Sequence, residues 1–209
     1  MNAGLLPVRR FQDAKQRLAP DFDPPARAEI ARALFADALE LCARVDFLRW
    51  WVVSDDADVL AVAAERGHDT VRDDGTGLNE AVALAVADIV ARGADSIAIV
   101  PSDVPLARPP DIQDLVDTGA TSDVVLVPSG EDSGTNGLCL RPPDVISPRF
   151  GPASLAAHAL AAAERGLRCS LLPLERLALD IDTIADVDAF LRRSEEGTTA
   201  EVLRRLRGG

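Results

Sequence analysis

The sequence contains little of the material from which disulfide frameworks and zinc sites are built. Its 209 residues include no tyrosine, two histidines and three cysteines. The cysteines are far apart, form no CxxC pair and have no histidine at metal-ligand spacing, which excludes the usual zinc motifs. We therefore interpret all three as buried thiols in a reducing cytoplasm. They are Cys42, Cys139 and Cys169.

Long uncharged apolar runs and an excess of positive charge are also missing. No run is long enough to span a bilayer, and the N-terminus lacks the basic start and continuous apolar stretch of a signal peptide. Lysine and arginine number 22 against 34 aspartate and glutamate, a formal charge of -12. Because binding to nucleic acid requires a basic face, we expect no nucleic-acid partner. The missing apolar segments lead us to expect a cytoplasmic protein with no membrane partner.

What the sequence does contain is a regular alternation of short apolar runs and helical segments. Continuous apolar character in residues 96–100 is typical of a strand buried on both faces of a parallel sheet. The alternation predicts an α/β fold, a three-layer sandwich with a mostly parallel central sheet, and 209 residues fit one domain. Residues 194–209 are expected to be loosely ordered or to form a short helix. Strands are predicted at residues 5–8, 50–53, 96–100, 123–128, 138–140, 170–172 and 177–179, and helices at residues 24–45, 58–65, 78–91, 111–117, 154–165 and 184–193.

Aspartates follow two of the predicted strands, at the position where open α/β sheets bind ligands. Asp103 follows residues 96–100, and it suits either a Mg²⁺ ligand or a helix N-cap. Asp180 and Asp182 follow another apolar run, and alternate residues of an extended segment point the same way. One of Asp182 and Thr183 is expected to cap the next helix. Three such carboxylates have little structural reason to converge without a cation, so together they indicate a Mg²⁺ site.

Two polar segments have the character of anion sites. Residues 133–137 can form a simple hairpin turn, or a bend whose backbone N–H groups and Thr135 hydroxyl hold an anion. Ser154 begins a helix, where it is either an ordinary N-cap or part of an anion site to which Arg149 adds a bidentate contact. We interpret His158, in the same helix, as a packed or surface residue rather than a base.

Basic residues concentrate in residues 7–20, directly after the first predicted strand. They are Arg9, Arg10, Lys15 and Arg17. A solvated surface explains them, but after a strand they also lie where a triphosphate needs neutralising. Residues 73–79 carry two glycines before a helix without the full GxGxxG spacing, which leaves open a nucleotide-contacting loop or a capped turn.

Together these segments resemble the 2-phospho-L-lactate or phosphoenolpyruvate guanylyltransferases of deazaflavin coenzyme (coenzyme F-420) biosynthesis. No single motif is specific, but the set occurs in the family's order across nearly the whole chain. The matching pieces are Pro7-Val8-Arg9, residues 14–20, Gly77-Leu78-Asn79, Asp103-Val104-Pro105-Leu106, Gly134-Thr135-Asn136, Arg149-Phe150-Gly151 with Ser154 and His158, and Asp180-Ile181-Asp182-Thr183.

The resemblance implies one nucleotidyltransferase domain over residues 1–209, with a nucleotide-diphospho-sugar transferase-like fold. It implies transfer of GMP from GTP to 2-phospho-L-lactate, phosphoenolpyruvate or 3-phosphoglycerate, with release of pyrophosphate. Catalysis is assigned to Lys15 and Arg17, which stabilise the leaving pyrophosphate, and to Asp103. The implied ligands are Pro7, Val8, Arg9, Lys15, Gly77 and Asn79 for GTP, Thr135, Gly151 and Ser154 with Arg149 for the acid, and Asp103, Asp180 and Asp182 for Mg²⁺.

Some alternatives stay open at this point. The family usually has lysine where this chain has Arg9, which changes the geometry of the triphosphate contact. A related enzyme acting on a sugar phosphate or a molybdenum cofactor would carry a glycine-rich first loop of the LxGGxGxRM type, which residues 6–10 lack. The chain could also be a non-catalytic nucleotide-binding regulator. A homodimer, or association with the next enzyme of the pathway, is a further possibility.

Overall fold

A seven-stranded sheet forms the centre of the computed structural model, which describes residues 1–130, 133–194 and 196–208. Two short 3₁₀ turns, Phe11–Asp13 and Gln16–Leu18, follow the first strand. The strands are β1 (Asn2–Pro7), β2 (Arg49–Ser54), β3 (Asp69–Arg72), β4 (Ser96–Ile99), β5 (Val124–Pro128), β6 (Thr135–Leu140) and β7 (Cys169–Leu171). The helices are α1 (Pro24–Arg44), α2 (Ala57–Glu65), α3 (Leu78–Ala91), α4 (Pro109–Thr118), α5 (Ser154–Glu164), α6 (Ile184–Arg193) and α7 (Thr198–Gly208).

The order of the strands across the sheet is β3-β2-β1-β4-β6-β5-β7. Strand β6 runs antiparallel to β4 and β5, whereas the other neighbouring pairs of the described sheet are parallel. The predicted mostly parallel sheet is therefore confirmed. Because β6 is reversed, its first residue, Thr135, lies at the edge of the sheet where β4 and β5 end.

Helices cover both faces of the sheet and complete the predicted three layers. One apolar core joins the sheet to α1, α2 and α4, and a second joins the opposite face to α3 and α5. Trp50 and Trp51 are both buried and point into different cores, as neighbouring residues of a strand must. Gly4 is the parallel partner of Trp50, and a Cβ at Gly4 would overlap the indole ring.

The C-terminal segment forms a helix that packs against α1 and α6. Leu203 of α7 lies fully buried in a third apolar cluster with Ile30 of α1. The carboxylate of Asp37 accepts hydrogen bonds of 2.9 Å from the backbone N–H groups of Thr198 and Thr199, and so satisfies donors at the start of α7. Of the two alternatives for the tail, the helix is the one observed. No helix within the described ranges is long and apolar enough to cross a membrane.

One strand was not predicted, and two local expectations were wrong. Residues 69–72 form strand β3, which sequence analysis missed because the segment is polar and short. Residues 177–179 form a turn and irregular backbone instead of a strand. Residues 135–137 belong to strand β6 rather than to a glycine-rich turn, because their backbone pairs with β5.

The three cysteines are not equivalent. Cys42 and Cys139 are buried as predicted, and burial raises the pKa of both thiols, that of Cys139 to about 11. Cys169 is exposed, contrary to the expectation of a third buried thiol, because it lies on the edge strand β7.

Candidate active site

Three carboxylates meet beyond the end of β4. Asp103, Asp180 and Asp182 each place one carboxylate oxygen within 4.8 Å of the other two. The backbone brings the segments together, because the N–H of Ile181 donates a 3.0 Å hydrogen bond to the carbonyl oxygen of Asp103. Ile181 is fully buried and anchors its segment in the third apolar cluster. The predicted convergence of the three aspartates is therefore observed.

Helix capping does not account for this cluster. Helix α4 begins after Arg108, whose backbone N–H donates to the side chain of Asp111, so Asp103 is not its cap. Helix α6 is capped by Thr183, one of the two residues expected there. Asp103 and Asp182 are thus free of the structural role that was their simplest alternative explanation.

Asp180 is oriented by Asn136, to which sequence analysis gave no separate role. The Nδ2 atom of Asn136 donates to Asp180 Oδ1 at 3.0 Å and to the carbonyl oxygen of Leu177 at 2.9 Å. Burial raises the pKa of Asp180, the Asn136 hydrogen bond opposes this shift, and the charges of Asp103 and Asp182 add to it. Asp180 follows a turn rather than the expected strand. A neutral amide therefore orients this half-buried carboxylate.

Lys15 lies between two of these carboxylates. Its Nζ atom donates to Asp103 Oδ2 at 2.6 Å and to Asp182 Oδ1 at 3.2 Å, and its side chain is only 8% exposed. Burial acts to lower the pKa of Lys15, but the charges of Asp103 and Asp182 and their hydrogen bonds outweigh it, so the pKa is raised. Arg17 Nη1 lies 3.2 Å from Asp182 Oδ2 on the exposed side of the cluster.

A cleft of about 630 Å³ opens beside the cluster. This volume is within the range of small-molecule and cofactor sites. Among the residues predicted from sequence, those that line it are Pro7, Val8, Arg9, Lys15, Arg17, Gly77, Asp103 and Asp182. Asp180 lines a neighbouring cavity of about 260 Å³ together with Arg17 and Asp182. The cleft is not lined by Asn79, Thr135, Arg149, Gly151 or Ser154.

Asn79 links the start of α3 to the segment before α5. Its Nδ2 donates to the carbonyl oxygen of Phe150 at 3.0 Å, and its Oδ1 accepts from the N–H of Phe150 at 2.7 Å. Both polar ends of this side chain are thus engaged by the backbone of Phe150, and the nucleotide contact that the resemblance implied stays a prediction. Gly77, just before α3, has a φ of 151°, and Gly151 has a φ of 126°; both values favour glycine.

Thr135, Ser154 and His158 form a buried polar group where β6 and α5 begin. Ser154 Oγ donates to Thr135 Oγ1 at 3.2 Å, and Nδ1 of His158 lies 3.1 Å from the same oxygen. Ser154 is the first residue of α5 and not its N-cap; the cap position is Ala153, which makes no side-chain cap. His158 is fully buried, as one of its two interpretations required, and its Nε2 accepts from the backbone N–H of Arg149 at 2.7 Å.

The side chain of Arg149 is exposed, and only its backbone takes part in this group among the described contacts. Sequence analysis also missed the contacts of Asn136 and His158. The spacing of Ser154 and His158 was a usable signal, because residues i and i+4 share one face of a helix. No comparable local signal marks Asn136, whose position depends on the antiparallel course of β6.

Comparison with known proteins identifies the family. The model of the family described as Guanylyl transferase CofC like matches residues 2–208. A phosphoenolpyruvate guanylyltransferase from Sphaerobacter thermophilus is 36% identical over 200 residues, covering 94% of this chain and 96% of the relative. A 2-phospho-L-lactate guanylyltransferase from Methanothermobacter thermautotrophicus is 38% identical over 205 residues, covering 97% and 90%.

Solved structures give the same fold. A crystal structure from Desulfovibrio desulfuricans G20, assigned to the nucleotide-diphospho-sugar transferases, superposes with a TM-score of 0.83 at 20% identity. The match covers 99% of this chain and 95% of that chain. The predicted fold is thereby confirmed. With a family match over residues 2–208, this chain belongs to the CofC-like guanylyl transferases.

Proposed function

We propose that this protein transfers GMP from GTP to a phosphorylated three-carbon acid and releases pyrophosphate, in the biosynthesis of the deazaflavin coenzyme F-420. The observation that carries the proposal is the convergence of Asp103, Asp180 and Asp182 at one end of the cleft, next to the buried cation of Lys15. The full-length relatives named for this reaction support the same conclusion.

We assign the three carboxylates to a Mg²⁺ ion. The donor set fits, because Mg²⁺ is bound by hard carboxylate oxygens together with substrate phosphates, and these oxygens lie within 4.8 Å of one another. The buried Lys15 ammonium lies between Asp103 and Asp182. This arrangement supports a preference of the carboxylate cluster for positive charge. When bound, the ion would neutralise phosphate oxygens of the nucleotide and polarise its α-phosphate.

The reaction consists of one displacement at phosphorus. A phosphate oxygen of the acid attacks the α-phosphorus of GTP; the new P–O bond forms as the bond to the bridging oxygen of the β-phosphate breaks. The electron pair leaves on pyrophosphate, so no protein nucleophile is required. Both reactants are anions, and the protein contributes chiefly by orienting them and by countering charge.

The basic residues of the N-terminal loop supply much of that countercharge. Lys15 and Arg17 lie beside the acidic cluster and face the cleft, where they can bind the β- and γ-phosphates. Arg9 is an exposed cation of the same cleft and can contact the triphosphate further out. We place the nucleoside along Pro7, Val8 and Gly77, where backbone and apolar surface line the cleft.

We assign the acid to Thr135, Gly151, Ser154 and Arg149. This group adjoins the cleft through Phe150, which lines the cleft and packs against His158. Thr135 is the first residue of β6, and Gly151 lies just before α5. We also treat residues 1–209 as one nucleotidyltransferase domain, because α7 shares a buried cluster with α1 and α6.

The proposal is tested by combining four nucleoside triphosphates with three acids in the presence of Mg²⁺. The acids are 2-phospho-L-lactate, phosphoenolpyruvate and 3-phosphoglycerate, and the readouts are pyrophosphate release and product mass. We expect GTP with one of the acids to give a diphosphate-linked guanosine product. We expect D103N to abolish pyrophosphate release while the protein keeps its fold by circular dichroism. If none of the three acids reacts, the substrate assignment is contradicted. Undiminished turnover by D103N would contradict the metal assignment.

A further inference from the structure

His158 lies against the proposed acid site, and both of its ring nitrogens and one ring edge or face are in contact with neighbouring groups. The ring is fully buried in α5, and its two nitrogens bridge strand β6 and the segment that precedes the helix. The ring of Phe150 packs against it edge-on, with centroids 5.3 Å apart. A buried histidine with both nitrogens engaged has a defined tautomer and orientation.

The hydrogen bonds determine where its proton lies. A backbone N–H can only donate, so Nε2, which lies 2.7 Å from the N–H of Arg149, must be an unprotonated acceptor. A neutral imidazole then carries its proton on Nδ1 and donates it to Thr135 Oγ1 at 3.1 Å. Burial lowers the pKa of His158 to about 4, with the charge of Arg149 acting in the same direction, so the ring is neutral at physiological pH.

The hydroxyl of Thr135 can make one further hydrogen bond, as a donor. Its oxygen accepts from His158 Nδ1 and from Ser154 Oγ, which occupies both lone pairs. The hydroxyl can therefore act only as a donor toward a further group, and the contacts of Thr135 within residues 1–130, 133–194 and 196–208 include no acceptor for it. A phosphate oxygen of a bound acid would accept it.

We propose that His158 is a positioning residue that forces the Thr135 hydroxyl to act as a hydrogen-bond donor to the phosphate of the acceptor acid. This inference rests on the proposed function, because it takes Thr135 as a ligand of the acid. His158 does not touch the substrate. Its Nε2 accepts from the backbone N–H of Arg149, and this contact fixes the tautomer that places the proton on Nδ1.

Two substitutions separate the functions of the two ring nitrogens. An asparagine at position 158 places an amide near the position of Nδ1 and can donate to Thr135. A glutamine reaches the position of Nε2 and can accept from the Arg149 N–H, but it leaves Thr135 without that donor. The two variants are similar in polarity and neither can titrate, which makes each the control for the other.

The experiment measures KM for phosphoenolpyruvate, 2-phospho-L-lactate and 3-phosphoglycerate, and KM for GTP, in variants whose thermal unfolding confirms a folded protein. We expect H158Q to raise the KM of the reacting acid about tenfold, the effect of about one hydrogen bond to a charged group, with KM for GTP unchanged. We expect H158N to restore the KM of the acid to within about threefold of the original value. Equal KM values for the acid in H158Q and the unmodified protein, or a loss in H158N as large as in H158Q, would overturn the role of His158.

A double-mutant cycle distinguishes failure of this inference from failure of the proposed function. T135V should raise the KM of the acid, T135S should restore it, and H158Q should add nothing further in the T135V background. If T135V leaves the KM of the acid unchanged, Thr135 is not a ligand and the acid site itself is misplaced. If T135V raises it and H158Q adds its full effect independently, the acid site stands and the coupling through His158 is refuted.

Discussion

The ammonium group of Lys15 donates a 2.6 Å hydrogen bond to the carboxylate of Asp103, 88 residues further along the chain. Lys15 reaches this position from a left-handed backbone conformation, with a φ of 56°. A non-glycine residue held there costs on the order of 1 kcal/mol, which the surrounding contacts must offset. The loop after β1 is thus ordered around one charge pair, and this pair ties the basic loop to the acidic cluster.

Removing this ammonium should change metal binding and turnover in opposite directions. In K15M the carboxylates of Asp103 and Asp182 lose their internal cation, so we expect the nucleotide-free protein to bind Mg²⁺ several-fold more tightly. Pyrophosphate release should fall by about a hundredfold, because charge on the leaving group is no longer countered. Calorimetric titration with Mg²⁺ and a pyrophosphate assay measure the two effects.

The control for this substitution is K15R, which keeps the charge. We expect its Mg²⁺ affinity to remain close to that of the unmodified protein. Unchanged or weaker Mg²⁺ binding by K15M would show that Lys15 and the metal do not share the carboxylates.

Asn136 provides a second test of the metal site. N136A removes the donor that orients Asp180 Oδ1, and outer contacts of this kind typically affect metal affinity or activity by tenfold or more. We expect the Mg²⁺ concentration for half-maximal turnover to rise about tenfold, with KM for the acid little changed. The Leu177 hydrogen bond is lost too, so urea unfolding is measured in parallel. A loss of stability with an unaltered Mg²⁺ requirement would assign Asn136 a purely structural role.

The role of Asn79 can be determined by comparing the effects of N79A on KM for the two substrates. Since both ends of its amide bind the backbone of Phe150, we expect N79A to loosen the segment that carries Gly151 and to raise KM for the acid about tenfold. KM for GTP should change less than threefold. Steady-state kinetics with each substrate varied in turn gives both values, and N79D, which keeps the acceptor of the Phe150 N–H, is the matched control. A larger effect of N79A on GTP than on the acid would instead support the direct nucleotide contact implied by family resemblance.

Local signals were sufficient for much of the fold. Helix α3 was predicted with the observed bounds, because an apolar face ends at Ala91 and Gly93 adopts a φ of 78° directly afterwards. Strand β4 was predicted at residues 96–100, one residue longer than observed, because they form a continuous apolar run bounded by Pro101; its four residues are all buried. Such elements depend on residues that are close in sequence, and the pattern therefore contains the information.

Elements that depend on distant pairing were not predictable in the same way. β3 is short and its residues alternate between half-buried and exposed, and it is a strand because β2 provides a partner. The reversal of β6 places Thr135 and Asn136 at the active edge, although Ser133 to Gly137 has the composition of a turn. Long-range register, rather than propensity, decided these cases.

The candidate site could be predicted from the sequence only in part. The types of residue that follow apolar runs identified Asp103, Asp180 and Asp182, and the three side chains do converge. The reason given for this convergence holds only for Asp103, which follows β4, because Asp180 follows a turn and not a strand. The contacts that orient them could not be predicted, because Lys15 and Asn136 approach from segments far away in sequence.

The buried imidazole also makes a prediction about stability and pH. In the unfolded chain His158 has an ordinary pKa of about 6.5, whereas burial lowers it to about 4 in the folded protein. Between these values the unfolded state binds a proton that the folded state does not, so the free energy of unfolding increases with pH across this window and is lost as the pH falls. At about 1.4 kcal/mol for each pKa unit, the contribution lost by pH 4 is at most about 3 kcal/mol.

Urea unfolding of the unmodified protein and of H158N at pH 7.5, 6, 5 and 4.5 isolates this contribution, because the other titrating groups are common to both. We expect the difference in unfolding free energy between the two proteins to shift against the unmodified one below pH 6, since only its buried ring acquires a proton on unfolding. Protonation in the folded state would add a hydrogen to Nε2, which faces the N–H of Arg149 and has no acceptor there. The pH dependence thus tests whether the folded ring is neutral, as its donation to Thr135 requires, and parallel curves for the two proteins would contradict a neutral ring.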